Sequence, residues 1–372
     1  MSKIKMQEFV FVGTYTESIK FGTGNILSGK GEGIYILRFD SSTGKLEHYR
    51  TVKGIVNPSY FCVRTHNRFV YAVNELKQYE GKASGSVSAF ELNRKDMSLR
   101  ALNTRPTQGT DPCHICLNNT ETHVFVSNFM SGSVCVFPLR DDGSLGEASQ
   151  FIQHAGSSKD PVRQTGPHAH SLTFDNRNQF AFVPDLGIDK LVVYRHDVAT
   201  GRLMRGIAAD YSLPPGSGPR HFTFHPNGRF AYLINELASA ISVFQYAQET
   251  GGLMELQTVP TIQEGFKGDN TCADIHITPS GKFLYGSNRG EDSLVIYKID
   301  EEDGHLSYIG HSGSGGRTPR NFAIDTSGRY LLTANQDSDT VVVFNIDMET
   351  GELSRIGGVD IPTPVCVKCI VI

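Results

Sequence analysis

The chain has 372 residues, a formal net charge of −4 and well-mixed acids and bases, so it lacks the basic footprint of a nucleic-acid or anionic-membrane binder. No apolar run approaches the roughly 18 residues needed to span a bilayer, and Trp is absent, which argues against the Trp-Asp signature of a WD-repeat scaffold. Seven scattered cysteines make an odd number with no disulfide framework, which suits a reducing cytoplasm.

In chain order, Met1 to Glu8 is polar, shows no signal-peptide pattern and passes into a strand, Phe9 to Thr14. The segment 17–30 reads as a long loop. A second strand, Gly33 to Phe39, precedes a turn that ends at Leu46. The turn type, Asp-x-x-Thr-Gly-x-Leu and its variants, returns with Leu99, Leu145, Leu203, Leu253, Leu306 and Leu353, at intervals of 46 to 58 residues. A period near fifty built of strands and tight turns predicts an all-β, seven-bladed β-propeller with four antiparallel strands per blade. One domain then spans residues 1–372.

The clearest copy covers 218–260: strand a from Arg220 to His225, strand b from Phe230 to Ile234, strand c from Ala240 to Tyr246 and strand d from Leu253 to Val259. Its Pro226-Asn227-Gly228 turn has counterparts at Asn118-Asn119-Thr120, Thr278-Pro279-Ser280-Gly281 and Asp325-Thr326-Ser327-Gly328. The c–d turn Lys95-Asp96-Met97-Ser98 has lost its glycine. The chain begins at strand b and ends with an a-type segment, Thr363 to Ile372. The last strand should therefore join the first three, closing the ring without an open edge. A monomer is expected.

Antiparallel connectivity puts the a–b and c–d turns at one end of the ring and the b–c and d–a loops at the other. The second end collects the long insertions, 17–30, 76–84, 153–166 and 261–270, and is the expected working face. The b strands end at Thr14, Asn74, Asn128, Asp185, Asn235, Asn288 and Asn335, short polar residues suited to bonding nearby backbone. The following position varies: Glu75, Phe129, Leu186, Glu236, Arg289 and Gln336. Aligned starts of strand a read Ser59, Cys113, His170, Arg220, Ala273, Arg320 and Val365, followed at the next position by His114, His221, Asp274 and Asn321. A blade needs none of these polar groups for packing, so they are expected to ring one mouth of the channel.

A site with His, two Arg and Glu has a chemical logic. Arginines hold a phosphate or carboxylate and stabilise an oxyanion, while His170 or Glu236 can serve as the base for an attacking water. No Gly-x-Ser-x-Gly elbow supports an acyl-enzyme. Neither cofactor nor metal is expected: His168 and His170 stand apart from any carboxylate in sequence, and Cys113/Cys116 and Cys366/Cys369 lie on strands where residues three apart face opposite ways. His66, His123 and His305 are assigned to the short-turn side or surface loops.

The segments Gly218-Pro219-Arg220-His221-Phe222-x-Phe224-His225-Pro226-Asn227, Asn235-Glu236-Leu237, Ala273-Asp274-Ile275-His276-Ile277-Thr278-Pro279-x-Gly281, Pro319-Arg320-x-Phe322 and Arg163 to Ser171 resemble the seven-bladed propeller 6-phosphogluconolactonases, which have the fungal carboxy-muconate cyclase as a relative. The resemblance covers almost the whole chain. It implies metal-free hydrolysis of 6-phosphogluconolactone in the pentose phosphate route. It also implies catalytic roles for His170, Glu236, Arg220 and Arg320. Candidate substrate contacts on the same face are His168, His221, Asp274, His276, Arg289, Asn235, Glu75 and Arg163. Other readings are a lactone-forming or isomerising enzyme of muconate type and a propeller that binds a protein partner. A six-bladed, metal-dependent gluconolactonase is disfavoured by the blade count.

Overall fold

Seven antiparallel sheets surround a central channel, each with its a strand innermost. The structure, a computed structural model, describes residues 7–64, 68–206 and 208–372; His66 and the leading residues 1–6 lie outside that set. Blade 1 is the composite expected at closure. Its a strand is Pro364–Val371, followed outward by Glu8–Thr14, Gly33–Asp40 and Lys45–Lys53. The first strand pairs with the last from Glu8 opposite Val371 to Thr14 opposite Pro364.

Blade 2 comprises Phe61–Val63, Phe69–Asn74, Ser86–Asn93 and Ser98–Pro106, and blade 3 Pro112–Leu117, His123–Asn128, Ser133–Pro138 and Gln150–Gln153. Blade 5 is Pro219–Phe224, Phe230–Asn235, Ala240–Ala247 and Gly252–Pro260. Blade 6 is Thr271–Ile277, Phe283–Arg289, Ser293–Ile299 and Leu306–Gly313; blade 7 is Pro319–Ile324, Tyr330–Asn335, Thr340–Ile346 and Leu353–Asp360. Among the described residues no helix is long and apolar enough to cross a membrane.

Blade 4 departs from the repeat. Its a strand is only Thr173–Phe174, so His170 lies in irregular chain ahead of the strand rather than at its start. Asp185 stands here where five of the other blades carry Asn. Its carboxylate accepts the backbone N–H groups of His168 (2.6 Å) and Gly187 (3.1 Å), as well as a His154 ring nitrogen (2.6 Å). Ala169 still bridges to Asp185 and the His170 N–H donates to the Pro184 carbonyl at 3.0 Å, but Pro184 has no N–H to carry the ladder on as Val73 does to Tyr60 in blade 2. The outer strand is also split, into Leu203–Met204 and Tyr211–Ser212. The Asp210 carboxylate accepts the Val193 N–H at 3.1 Å, supplying the acceptor that a continuous strand would.

Strand alternation buries b and c strands on both faces, and their aromatic and β-branched residues fill the space between blades. The spacing of the blades is set at the short-turn end. The first residue of each b strand from blade 2 to blade 7 lies beneath the c–d turn of the next blade, where a glycine takes a left-handed φ. Gly143 meets Phe69, Gly201 meets His123, Gly251 meets Phe180, Gly304 meets Phe230, Gly351 meets Phe283, and Gly44 meets Tyr330 around the closure. The seventh turn has Met97, which adopts φ 58° despite its side chain. The hydroxyls of Tyr71, Tyr232 and Tyr285 donate to the carbonyls of Gly143, Gly304 and Gly351 at 3.0, 2.9 and 2.8 Å.

These contacts make a direct prediction. At Gly304, φ is 80° and an added Cβ would lie 2.5 Å from the Phe230 ring. Gly304→Ala should therefore cost roughly 2–4 kcal/mol, combining backbone strain with overpacking. A lowered urea midpoint at unchanged slope is the expected result; an unchanged midpoint would show that blade spacing is not set here.

Candidate active site

The channel mouth at the long-loop end holds a cavity of about 320 Å³. Its polar lining includes Glu75, Cys113, Arg163, His170, Glu236, Arg289 and Arg320; Phe21, Phe129 and Met130 form an apolar wall. A small recess beneath it is bounded by Ser59, Glu75, Cys113, His170, Arg220, Arg320 and Val365. Six of the seven aligned a-strand starts thus meet in one ring, and the seventh, Ala273, contributes its carbonyl to Arg220 Nη1 at 2.5 Å.

Local backbone geometry explains the aim of these side chains. The a–b ladders skip a residue between Pro112 and His114, between Pro219 and His221, and between Pro319 and Asn321. Cys113, Arg220 and Arg320 are the unpaired residues of these bulges, which turn them into the mouth. A proline precedes each one, and the residue before that proline has positive φ: Asp111 (51°), Gly218 (62°) and Thr318 (58°). A β-branched residue such as Thr318 reaches that region only under constraint. Here the Asp292 carboxylate of the preceding blade accepts the Thr318 N–H at 2.7 Å, and Asp189 holds the Gly218 N–H at 2.7 Å. The sequence carries the trace of this device as Asp111-Pro112-Cys113, Gly218-Pro219-Arg220 and Thr318-Pro319-Arg320.

Glu236 is enclosed by guanidinium groups. Arg163 Nη2 donates to Oε1 at 2.5 Å, while Arg220 Nε and Arg289 Nη2 reach Oε2 at 3.0 and 2.8 Å. Burial alone would raise its pKa, but Arg289, Arg163 and Arg220 more than reverse that and hold it well below the usual carboxylate range. Glu75, also buried, accepts the Tyr15 hydroxyl at 3.0 Å and lies beside the Ser59 hydroxyl. Burial raises its pKa, outweighing the opposing field of Arg320. Burial and the fields of Arg220, His221, Arg320 and Arg289 push His170 well below the ordinary histidine value, so its imidazole is neutral at physiological pH. The Cys113 thiol donates to the His170 carbonyl (3.2 Å), and burial followed by Glu75 pushes its pKa upward, which disfavours a nucleophilic thiolate.

Arg320 differs from the other three arginines. Among the described residues it makes neither hydrogen bond nor ion pair, and its guanidinium sits over the rings of Tyr15 (5.6 Å) and Phe21 (5.4 Å). Phe21 belongs to a feature the repeat did not disclose. Within the 17–30 loop, Ile19–Lys20 pairs with Ile26–Leu27 as a hairpin whose turn approaches Met130 of blade 3 across the mouth.

The remaining candidates lie off the main cavity. His168 stacks on Phe129 at 4.7 Å and bonds its carbonyl at 3.0 Å, supporting the wall from behind. Asn235 is buried and donates to Ser242 Oγ at 3.0 Å, a bond within its own blade. The corresponding Asn74, Asn128, Asn288 and Asn335 donate to carbonyls of the preceding d–a loops. His221 lines the recess beside Arg220, whereas Asp274 lines neither cavity nor recess and joins His276 in a layer deeper in the channel, correcting the expectation that Asp274 rings the mouth. Asp274 accepts from His221 Nδ1 (2.7 Å), His276 Nε2 (3.0 Å) and Asn321. A bulge places consecutive side chains on the same channel at different depths, hence the extra layer below Arg220. His276 opens toward the opposite end.

The model of the family "Lactonase, 7-bladed beta-propeller" matches residues 9–369. The chain belongs to this family. Its relatives include the 6-phosphogluconolactonase of Bacillus subtilis, 31% identical over 84% of this chain and 83% of that protein. A Bacteroides fragilis crystal structure, provisionally named a 6-phosphogluconolactonase, is 35% identical with a TM-score of 0.89, covering 100% of this chain and 99% of the other. The periplasmic gluconolactonase of Pseudomonas aeruginosa is 33% identical with a TM-score of 0.88, covering 98% and 99%.

The buried cluster around Glu236 has a measurable signature. Its folded pKa lies below the unfolded value of about 4.3, so its stabilisation is complete above that pH and declines as pH falls toward the folded value. Glu236→Gln should cost about 3–5 kcal/mol at pH 7 by leaving three buried guanidinium groups without their anion. The gap to the native protein should narrow as unfolding is measured at successively lower pH below about 4; a gap independent of pH would refute the ionised assignment.

Proposed function

We propose that this protein hydrolyses a lactone bearing an anionic group, with 6-phosphogluconolactone as the first substrate to test. The observation that carries the reading is Arg320, a half-buried, ring-clamped guanidinium that faces the cavity without a hydrogen-bond or ion-pair partner among the described residues. Arg163, Arg220 and Arg289 share Glu236, so the mouth keeps an excess of positive charge. Such a surplus suits a phosphate or carboxylate, or the oxyanion formed when water attacks an ester carbonyl. The names of the relatives support lactone chemistry and differ on phosphorylation.

In this reading the lactone ring lies against Phe21 and Phe129, its anionic group meets Arg320, and neutral His170 orients the water. The reaction is proposed to need no metal, because the Glu236 carboxylate is already satisfied by guanidinium groups. The cytoplasm is proposed as its compartment on the strength of seven free cysteines; the Pseudomonas relative is periplasmic, so compartment varies among relatives. The apolar wall also fits an unsaturated diacid, which favours the muconate-type reaction as second reading.

The test is hydrolysis of freshly prepared 6-phosphogluconolactone, corrected for spontaneous opening, beside unphosphorylated gluconolactone and a muconate-type lactone. Fast, EDTA-insensitive turnover of the phosphorylated lactone is expected. Arg320→Leu should raise its KM roughly 10- to 100-fold, the equivalent of a lost charged hydrogen bond, with a smaller effect on gluconolactone. His170→Ala should lower kcat by about 10²-fold or more. Selective turnover of the diacid lactone would establish the second reading, and turnover of none would overturn both.

A further inference from the structure

We propose that Glu75, oriented by the Tyr15 hydroxyl, is the general base that takes the proton from the attacking water, and that Glu236 is a fixed anion that organises the arginines. The proposal rests on the lactone-hydrolysis reading for its chemistry and on independent geometry for its choice of residue. Both oxygens of Glu236 are occupied by guanidinium N–H groups, leaving it no outward lone pair suited to a water. Glu75 lines both the main cavity and the recess below, beside His170, Cys113 and Arg320. The Tyr15 hydroxyl donates to its Oε2 at 3.0 Å, and among the described residues no guanidinium N–H is bonded to either of its oxygens.

Two carboxylates in one mouth with oppositely shifted environments divide the labour of anchoring charge and moving protons. The groups facing Glu75 are Tyr15 of blade 1, Asp111 and Cys113 of blade 3, His170 of blade 4, Arg220 of blade 5 and Arg320 of blade 7. Asp111 is itself neutralised by Lys77 Nζ at 2.9 Å. Neutral His170 is a weaker base than an ordinary imidazole, because a proton there must coexist with the neighbouring arginines. Glu75 has the opposite bias.

The step balances through one residue. As the water oxygen bonds to the lactone carbonyl carbon, its proton passes to Glu75 and the carbonyl π pair moves onto oxygen. Collapse of the tetrahedral intermediate re-forms the carbonyl and breaks the bond to the ring oxygen. That oxygen leaves with the electron pair and takes the proton back from Glu75. Water has been added, the new carboxylic acid loses its proton to solvent, and Glu75 is again a carboxylate.

Two measurements test this. In protein labelled with ¹³C at the glutamate δ carbons, the resonance lost in Glu75→Gln should titrate with a midpoint above the ordinary glutamate value near 4.3. The resonance lost in Glu236→Gln should stay ionised to the acid limit of folding. If Glu236 cannot be replaced, the Glu75 midpoint alone decides; a midpoint at or below the ordinary value overturns the proposal. On the lactone that the native protein hydrolyses, Glu75→Gln should lower kcat about 10²- to 10³-fold with KM within about threefold, and Tyr15→Phe should move the acid limb of kcat/KM to higher pH. Full kcat in Glu75→Gln overturns the assignment. If no lactone is hydrolysed by the native protein, the hydrolytic reading fails and Glu75 loses its reaction, whatever its titration.

Discussion

The spacing between blades rests on a close approach that only one kind of residue accommodates easily: a left-handed glycine over the leading side chain of the neighbouring b strand. Because the contact repeats around the ring, it sets each blade against the next without a specific sequence in the sheets themselves. The other end of each strand is adjusted by side chains rather than by packing. Carboxylates such as Asp189 and Asp292 grasp a backbone N–H of the following blade. The same arrangement that makes the sheets a ring therefore also trains their inner strands on one point.

At that point the protein withdraws four arginines wholly or partly from bulk water, an arrangement that desolvation opposes. Glu236 offsets much of the cost for three of them, and the rings of Tyr15 and Phe21 orient the fourth. The field that results acts unevenly on its neighbours. It keeps His170 neutral and Glu236 ionised, yet leaves Glu75 governed chiefly by burial. Residue type alone thus says little about function here; position relative to the guanidinium groups decides it.

The repeat, the ring closure and the working end were legible because hairpin chemistry is local: Asp-x-x-Thr-Gly-x-Leu reports its own backbone. The convergence of His170, Arg220 and Arg320 followed from alignment between blades. Depth in the channel did not, since a bulge changes the facing of the next residue without a periodicity to betray it, and Asp274 fell one layer lower. Blade 4 departs from the repeat at its inner edge, where Pro184 offers the ladder no N–H and the Asp185 carboxylate binds backbone N–H groups beside it. The partnership of Arg163 with Glu236 links a loop to a distant blade, and the hairpin that brings Phe21 to the mouth has strands of only two residues.

Closure of blade 1 by Pro364–Val371 has a consequence for how the molecule is made. Ribosomes deliver the amino-terminal strand first and its partner last. At about 5–20 residues per second the wait is roughly 20–70 s, during which Glu8–Thr14 presents a bare, strongly apolar edge. Tyr15 and Arg320 come from opposite halves of the synthesis and meet only at the finish. A prematurely terminated chain would therefore be a sticky species without catalytic competence, and the newborn protein is a natural client for factors that shield β edges until translation ends.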